Sequence, residues 1–169
     1  MEENFMEIEK VTIPSQIYIL AELAYEIWPE CYAEIISAEQ INYMIEKFQS
    51  EKAIEQQIKN EGYEYYFVTE NNKILGFAGI KPEYGKLLLS KLYIRKPERN
   101  KGCASFVFDF LENMCRESGM KYIYLTVNKN NTDAIDVYKK RGFYVECDKC
   151  ADIGGGFVMD DHVMRKDIV

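Results

Sequence analysis

The sequence predicts an α/β fold in which a mixed sheet is covered by helices on both faces. Three stretches of the chain carry this prediction. Residues 63–80 contain two short apolar runs separated by Asn71-Asn72, a turn signal that favours a β-hairpin. Residues 86–115 and 121–143 each contain a strand-like run, a short loop and an amphipathic helix pattern. Strands that alternate with helices in this way are typical of an α/β sheet.

The first third of the chain predicts one strand and three helices. Alternating apolar residues favour a strand at residues 7–12, and an apolar stripe behind Pro14 favours a helix at 14–28. A capping box at residues 37–40 indicates the start of a second helix. Residues 53–58 fit a further short helix. Beyond residue 142 we expect strands near 143–148 and 156–166.

The size and composition of the chain predict a single domain over residues 1–169. Its 169 residues are 47% hydrophobic, and no repeat or linker divides them. No apolar run approaches the 18 residues of a membrane span, so no membrane partner is expected. The acidic N-terminus lacks the features of a signal peptide, and we therefore expect a cytoplasmic protein.

Residues 99–104, Arg-Asn-Lys-Gly-Cys-Ala, join the strand at 86–94 to the following helix. The first turn of a helix has unpaired N–H groups and partial positive charge, and it therefore attracts phosphate. Gly102 allows a bend with positive φ, and the small Cys103 and Ala104 leave room for an anion. The segment is neither a P-loop nor a dinucleotide fingerprint. An ordinary strand-to-helix connection remains the alternative.

A second segment follows the strand at residues 121–127. Asn131 is a good helix start, and the basic residues and Gly142 at 139–142 are C-terminal signals, so a short helix is expected between them. Asn131 and Tyr138 are seven residues apart, or two helical turns, and their side chains should point the same way.

These two segments together resemble the GNAT superfamily of N-acetyltransferases. The family pattern Arg/Gln-x-x-Gly-x-Gly/Ala corresponds to Arg99, Gly102 and Ala104. The pattern Asn-x-x-Ala-x-x-x-Tyr with a following Gly-Phe corresponds to Asn131, Ala134, Tyr138, Gly142 and Phe143. The resemblance covers residues 86–145 and implies a mostly antiparallel central sheet. Residues 154–164 are similar to a branch that includes polyamine acetyltransferases.

The resemblance implies that acetyl-CoA donates an acetyl group directly to a primary amine in a ternary complex, without a metal or an acyl-enzyme. It assigns the pyrophosphate to the backbone of Asn100, Lys101, Gly102, Cys103 and Ala104, with a hydroxyl from Ser105. Arg99 either contributes its side chain or is a surface charge. The main chain of Leu92, Tyr93 and Ile94 would pair with the pantetheine arm, and Asn131 would bind this arm or cap its helix.

Two catalytic groups follow from the same resemblance. The backbone N–H of Ile94 is the candidate donor to the carbonyl oxygen, where negative charge develops. Tyr138 matches the position of the proton donor to the leaving thiolate, and this role is favoured over the alternative of a buried tyrosine that packs against the sheet. Many relatives place a glutamate four residues before Ile94, where this chain has Ser90. The general base therefore stays open among Glu83, Tyr84, Tyr93 and a water relay.

The acceptor amine is not defined by the sequence. Trp28, Tyr32 and Tyr43 are candidates for an aromatic substrate wall or for plain packing, and Glu83 is a further substrate candidate. The net charge of −7 disfavours nucleic acid and attracts cations, although acidic surfaces also serve solubility alone. A small cationic amine such as a polyamine is favoured. A protein or peptide amine, a longer acyl group, a non-catalytic acyl-CoA sensor and a homodimer remain open.

The cysteine and histidine residues predict no metal site. Five cysteines without a signal peptide are expected to be free thiols. Cys147-x-x-Cys150 follows a predicted strand and not a helix start, and the chain has one histidine, so neither a redox pair nor a zinc site is expected. His162, alone on an apolar strand, fits a structural role better than a catalytic one.

Overall fold

A computed structural model of the protein describes residues 5–169. These residues form seven β-strands, five α-helices and one 3-10 turn. In chain order they are β1 (Met6–Lys10), α1 (Pro14–Tyr32), α2 (Ala38–Gln49), α3 (Glu51–Asn60), β2 (Glu64–Glu70), β3 (Lys73–Glu83), β4 (Lys86–Ile94), the 3-10 turn (Lys96–Glu98), α4 (Cys103–Ser118), β5 (Tyr122–Asn128), α5 (Thr132–Lys140), β6 (Tyr144–Gly154) and β7 (Phe157–Asp167).

The strands form a mixed sheet in the order β1-β2-β3-β4-β5-β7-β6. The pairs β1–β2, β2–β3, β5–β7 and β6–β7 are antiparallel. The pair β4–β5 is parallel over Lys86–Leu88 and Tyr122–Tyr124, after which β4 continues to Ile94. The predicted fold class, an α/β fold with a mixed and mostly antiparallel sheet, is confirmed.

Most predicted elements are present, with two corrections to their ends. The predicted end of the first helix at residue 28 is wrong, because α1 continues through Pro29 to Tyr32. A proline removes one N–H donor, but its carbonyl still accepts, and Ala33 N–H donates to Pro29 O at 3.0 Å. The strand predicted near 143–148 extends to Gly154, since the turn to β7 lies at Gly155-Gly156, where both residues have positive φ.

The chain divides into two compact units. The first contains the residues up to Lys81 together with Lys91–Val107, and the second contains Pro82–Ser90 and Phe108–Val169. The single domain expected over residues 1–169 stays a prediction.

The first unit packs α1, α2 and α3 with β1–β3 around an apolar core. Ser37 and Ser50 cap α2 and α3, since their hydroxyls accept from Gln40 N–H at 3.1 Å and Ala53 N–H at 3.2 Å. The fully buried Tyr65 directs its hydroxyl to Gln57, so the polar end of this core side chain is satisfied.

The second unit contains a buried carboxylate between two cations. Glu112 on α4 is 6% exposed and accepts hydrogen bonds from Arg141 and from Lys166. Burial alone would raise the pKa of this carboxyl, but the bonds from Lys166 and Arg141 outweigh burial and lower it. These bonds connect α4, the end of α5 and β7.

Replacing Glu112 by glutamine should destabilise the protein by about 3 kcal/mol, because it leaves the Lys166 ammonium without its buried counterion. Asp109→Asn is the matched control: it removes the exposed partner of the same Arg141, at 2.8 Å, and should cost below about 1 kcal/mol. Urea unfolding measures both. Since the Glu112 pKa is lowered in the folded state, its contribution is present above the unfolded pKa and is lost as the pH falls through the folded pKa. Equal losses in the two variants would contradict this assignment.

Candidate active site

The segment between β4 and α4 has the backbone expected of a phosphate-binding loop. Asn100 has φ +63° and Gly102 has φ +85°, and α4 begins at Cys103. A side chain on Gly102 would meet no atom within 4 Å, so the space in front of this helix start is open. The predicted positive φ at Gly102 is confirmed. The exposed Ser105 and the half-buried Ala104 lie in the first turn.

An ion pair holds the start of this loop. Glu98, 7% exposed, accepts a hydrogen bond from Lys73, and Lys101 Nζ lies 3.5 Å from its carboxylate. The bond from Lys73 is the main reason why the pKa of Glu98 is lowered. Cys103 is buried, its Sγ donates to Glu98 O at 3.6 Å, and burial raises the pKa of its thiol. A thiol in this state is a poor nucleophile.

The Arg99 side chain turns back toward the end of β4. Its Nε donates to Ile94 O at 3.0 Å, and its guanidinium lies 3.3 Å from Cys31 Sγ on α1. Both contacts fix the loop to the body of the first unit. The position fits a structural role for the side chain, while its predicted contact with the cofactor stays a prediction.

A close backbone approach sets the position of the β4 end, and the sequence reasoning missed it. A Cβ on Gly76 of β3 would lie 2.2 Å from Tyr93 O and 2.9 Å from Ile94 Cα, so no side chain fits at residue 76. Val68 pairs with Gly76 and Thr69 with Ile74, which leaves Leu75 as an extra residue in β3. The signal in the sequence was a glycine within a strand pattern.

An aromatic cluster covers this part of β4. The Tyr93 ring lies 5.5 Å from the rings of both Trp28 and Phe77, and its hydroxyl is 2.7 Å from the Tyr32 hydroxyl. Trp28 is 3% exposed, which fits core packing, whereas Tyr32 is half-buried. Tyr43 is half-buried on α2, and Lys47 lies over its ring. The predicted substrate contacts of these residues remain predictions.

Lys91 is a half-buried lysine on β4 that the sequence reasoning did not select. The ammonium groups of Lys91 and Lys81 each lie 5.4 Å from the centre of the Tyr63 ring. Burial lowers the pKa of Lys91 to about 8, and the charge of Glu61 opposes this shift. An amine with this pKa exchanges its proton near neutral pH, which is a property of functional lysines.

The second unit places the two residues of the downstream motif on α5. Asn131 caps the helix, since its side chain accepts from Ala134 N–H at 3.4 Å. Tyr138 is half-buried, and its ring packs 6.0 Å from Phe108 and 5.8 Å from Phe143. The capping role of Asn131 is confirmed, and the packing of Tyr138 leaves its predicted catalytic role open.

Glu83 and Tyr84, two candidates for the general base, lie in surroundings that do not favour this role. Glu83 accepts a hydrogen bond from Tyr124 and lies 3.7 Å from Lys86 Nζ, so its carboxylate is engaged within the second unit. The Tyr84 side chain is fully exposed at the turn between β3 and β4. The role of Glu83 as a substrate contact stays a prediction.

The surroundings of the remaining cysteine and histidine side chains fit structural roles. His162 Nδ1 lies 2.6 Å from Asp148, which fits the structural interpretation. All five cysteines are free thiols, as predicted, and Cys147 and Cys150 are exposed on β6. Within residues 5–169 no group of three or more His, Cys, Asp or Glu side chains is placed to hold a metal. In the same range no helix is long and apolar enough to cross a membrane.

The mixed sheet, the open helix start at α4 and the helix α5 capped by Asn131 agree with the class of N-acetyltransferases. A family model described as the acetyltransferase (GNAT) family matches residues 20–143. This match spans most of the chain, so the chain belongs to the GNAT family. It is an acetyl-CoA-dependent N-acetyltransferase.

Individual relatives match most of the length of the chain. A spermidine N(1)-acetyltransferase of Thermoplasma acidophilum is 28% identical over 145 residues, which are 83% of this chain and 89% of the relative. An uncharacterized N-acetyltransferase of Lactobacillus delbrueckii subsp. lactis is 22% identical over 147 residues, 82% of this chain and 83% of the relative. The crystal structure of the PaiA N-acetyltransferase of T. acidophilum in complex with coenzyme A has a TM-score of 0.80 at 24% identity. It covers 96% of this chain and 99% of its own, and it shows the shared fold.

Replacing Lys91 by methionine should raise the free energy of unfolding at pH 7. This gain should become smaller above pH 8. The lowered pKa means that the folded state holds this proton less tightly than the unfolded state. The wild type therefore gains stability as the pH rises from about 8 toward the unfolded value of 10.5, and the variant lacks this gain. Urea unfolding between pH 6.5 and 10 measures the difference. Lys81→Met removes the other lysine on Tyr63 and is the control; an equal pH-dependent difference there would contradict the burial of Lys91 as the cause.

Proposed function

We propose that the protein acetylates a primary amine of a small cationic acceptor, with a polyamine as the favoured substrate, by direct attack in a ternary complex. The observation that carries this proposal is the similarity, over most of both chains, to a protein named as a spermidine N(1)-acetyltransferase. The net charge of −7 supports a cationic acceptor, because it raises the local concentration of cations near the protein.

The loop before α4 fits the pyrophosphate of the acetyl donor. Backbone N–H groups from Asn100 to Ala104 would hold it, and the open space at Gly102 lets an anion approach the chain. The Ser105 hydroxyl is exposed in the first helical turn and adds a donor. When bound, acetyl-CoA supplies the acetyl group as a thioester.

In the proposed complex, the end of β4 supplies the main-chain contacts to acetyl-CoA. Leu92, Tyr93 and Ile94 follow the part of β4 that pairs in parallel with β5, and their backbone groups suit the amides of a pantetheine arm. The N–H of Ile94 is the proposed donor to the carbonyl oxygen, where it stabilises developing negative charge. Gly76 and Arg99 act as positioning residues, since their contacts fix this backbone.

Two side chains handle protons in the proposed reaction. As the bond from the amine nitrogen to the acetyl carbon forms and the carbon–sulfur bond breaks, Tyr138 gives its phenolic proton to the leaving sulfur, as its match to the family motif suggests. The acetylated nitrogen then releases a proton to solvent, and Tyr138 takes one back from solvent. Only about one alkylamine in two thousand is neutral at pH 7, so the acceptor must also lose a proton. Lys91, with a pKa of about 8 on β4, is the proposed acceptor of that proton, whereas Tyr93 is bonded to Tyr32. The Lys91→Met variant should therefore lose a rise in kcat that the wild type shows around pH 8.

Direct transfer is favoured over an acyl-enzyme by the state of Cys103. Its thiol lies at the start of α4, where an attacking cysteine would be expected, but it is buried and its pKa is raised. Little thiolate is present at neutral pH, so the backbone of this residue is its useful part.

Wild-type protein should release free CoA thiol from acetyl-CoA when spermidine or spermine is added. The similarity to a spermidine N(1)-acetyltransferase favours these acceptors over basic peptides, amino acids and aminoglycosides, which complete the panel. Thiol release is followed by a colorimetric assay with amine-free and protein-free controls. Turnover only with a peptide amine would replace the polyamine proposal, and tight acetyl-CoA binding without turnover of any amine would favour a sensor.

Tyr138→Phe should lower kcat about 100-fold and leave the affinity for acetyl-CoA within about twofold, because it removes the proton-donating hydroxyl and keeps the ring. Initial-rate kinetics and calorimetric titration with acetyl-CoA make this comparison. The exposed Tyr144→Phe, which removes a hydroxyl bonded to Asp167 on β7, is the control. Unchanged kcat in Tyr138→Phe would remove the proposed role and leave Tyr138 as a packing residue.

A further inference from the structure

Glu98 is a buried carboxylate beside the loop at residues 99–104, and two lysines share it unequally. It is 7% exposed, and Lys73 donates a hydrogen bond to its Oε1. Lys101 Nζ lies 3.5 Å from its Oε2. An ammonium nitrogen and a carboxylate oxygen in a strong pair are about 2.7–2.9 Å apart. Lys101 is therefore the more weakly held of the two lysines.

Lys73 by itself compensates the charge of Glu98. Its hydrogen bond is the main cause of the lowered pKa of Glu98, and the charge of Lys101 contributes less. Among residues 5–169, no other carboxylate forms an ion pair with either lysine. Two ammonium groups on one carboxylate leave one positive charge in excess at this end of the loop.

The main chain of Glu98 is fixed, whereas the Lys101 side chain is held by one long contact. Glu98 N–H donates to Arg95 O at 2.8 Å, and Cys103 Sγ donates to Glu98 O at 3.6 Å. The Lys101 side chain is 62% exposed and directly precedes Gly102, so it stands among the backbone N–H groups proposed to hold the pyrophosphate. A mostly exposed ion pair contributes little free energy, and Lys101 can therefore exchange Glu98 for another anion.

We propose that Glu98 competes with the pyrophosphate of acetyl-CoA for the Lys101 ammonium, and that Lys73 limits this competition. This inference rests on the proposed function, which assigns the pyrophosphate to the same loop. When the anion binds, Lys101 moves from Glu98 to a phosphate oxygen, and Lys73 continues to compensate the buried carboxylate. Glu98 thereby weakens the binding of the donor without contacting it, and it acts as a positioning residue for Lys101.

Calorimetric titration of the full chain with acetyl-CoA tests the inference, because it needs no acceptor amine. Glu98→Gln keeps an oxygen that accepts from Lys73 and removes the charge, so the Kd for acetyl-CoA should fall about three- to fivefold. Lys73→Met leaves Lys101 as the one cation on Glu98, so the Kd should rise about threefold. CoA carries the same pyrophosphate, and its Kd should shift equally in each variant.

Glu70→Gln is the matched control for the general field of a nearby carboxylate. Glu70 lies opposite Lys73 in the β2–β3 ladder, and its charge, like that of Glu98, acts on the Cys103 thiol. Within residues 5–169 no ion pair joins Glu70 to Lys101. The Kd for acetyl-CoA in Glu70→Gln should stay within about 1.5-fold of the wild type, because solvent ions screen a charge that makes no contact. A fall as large as that in Glu98→Gln would overturn the inference.

Double variants test whether the effects depend on Lys101. Lys101→Met alone should raise the Kd for acetyl-CoA about 10-fold, since a charge-assisted hydrogen bond to phosphate is lost. In this background, Glu98→Gln and Lys73→Met should change the Kd no more than Glu70→Gln does. Effects that persist in full without Lys101 would mean that Glu98 or Lys73 acts on the anion directly, and they would overturn the inference.

Urea unfolding without ligand distinguishes competition from a structural role of Glu98. Because its pKa is lowered in the folded state, the ionised form stabilises the fold at neutral pH. Glu98→Gln should therefore be less stable than the wild type and still bind acetyl-CoA more tightly. A structural role would weaken both properties, so a raised Kd in Glu98→Gln would overturn the inference.

The outcomes also separate the inference from the proposed function. If the Kd values shift as expected but the wild type acetylates no polyamine, the inference stands and the proposed acceptor is wrong. If the wild type acetylates spermidine and the Glu98 and Lys73 variants bind acetyl-CoA as the wild type does, the inference fails and the proposed function stands. A wild type that binds neither acetyl-CoA nor CoA would overturn both.

Discussion

The end of β4 is held by backbone contacts that admit no side chain at residue 76, and the candidate site depends on them. Gly76 lets β3 approach Tyr93 and Ile94 more closely than any other residue would allow. Arg95 N–H then donates to Leu75 O at 2.8 Å, so the strand leaves the sheet at a defined point. Arg99 returns to Ile94 O and fixes the loop that follows. The start of α4 and the N–H of Ile94, the proposed oxyanion donor, are therefore positioned by one short stretch of main chain.

The charged groups inside the protein differ in the direction of their pKa shifts. Glu112 and Glu98 are buried carboxylates whose oxygens are met by lysine or arginine, and their pKa values are lowered. The pKa values of Lys91 and Asp161 are instead shifted so that the neutral form is favoured, because burial outweighs the charges around them.

Much of the fold was predictable because local signals agreed with one another. The hydroxyls of Ser37 and Ser50 cap the helices that follow them, and Asn131 does the same for α5. The glycine at residue 102 has the positive φ that its place before a helix requires. The end of α1 was not predictable, since proline is a strong stop signal in sequence and the turn beyond Pro29 depends on contacts such as that between Tyr32 and Tyr93.

By itself the sequence determined the order of the elements, the bend at Gly102 before α4 and the family, because each rests on residues close together in the chain. Only the tertiary structure decided which charges are buried and paired. Glu83 stands near β4 in sequence yet is engaged by Tyr124, and Arg99 meets Cys31 from α1. Lys91 and Asp161 gave no signal, since a lysine or an aspartate within a strand pattern looks the same whether solvent or a core surrounds it. Burial is set by distant segments that pack against a residue, and spacing along the chain does not record it.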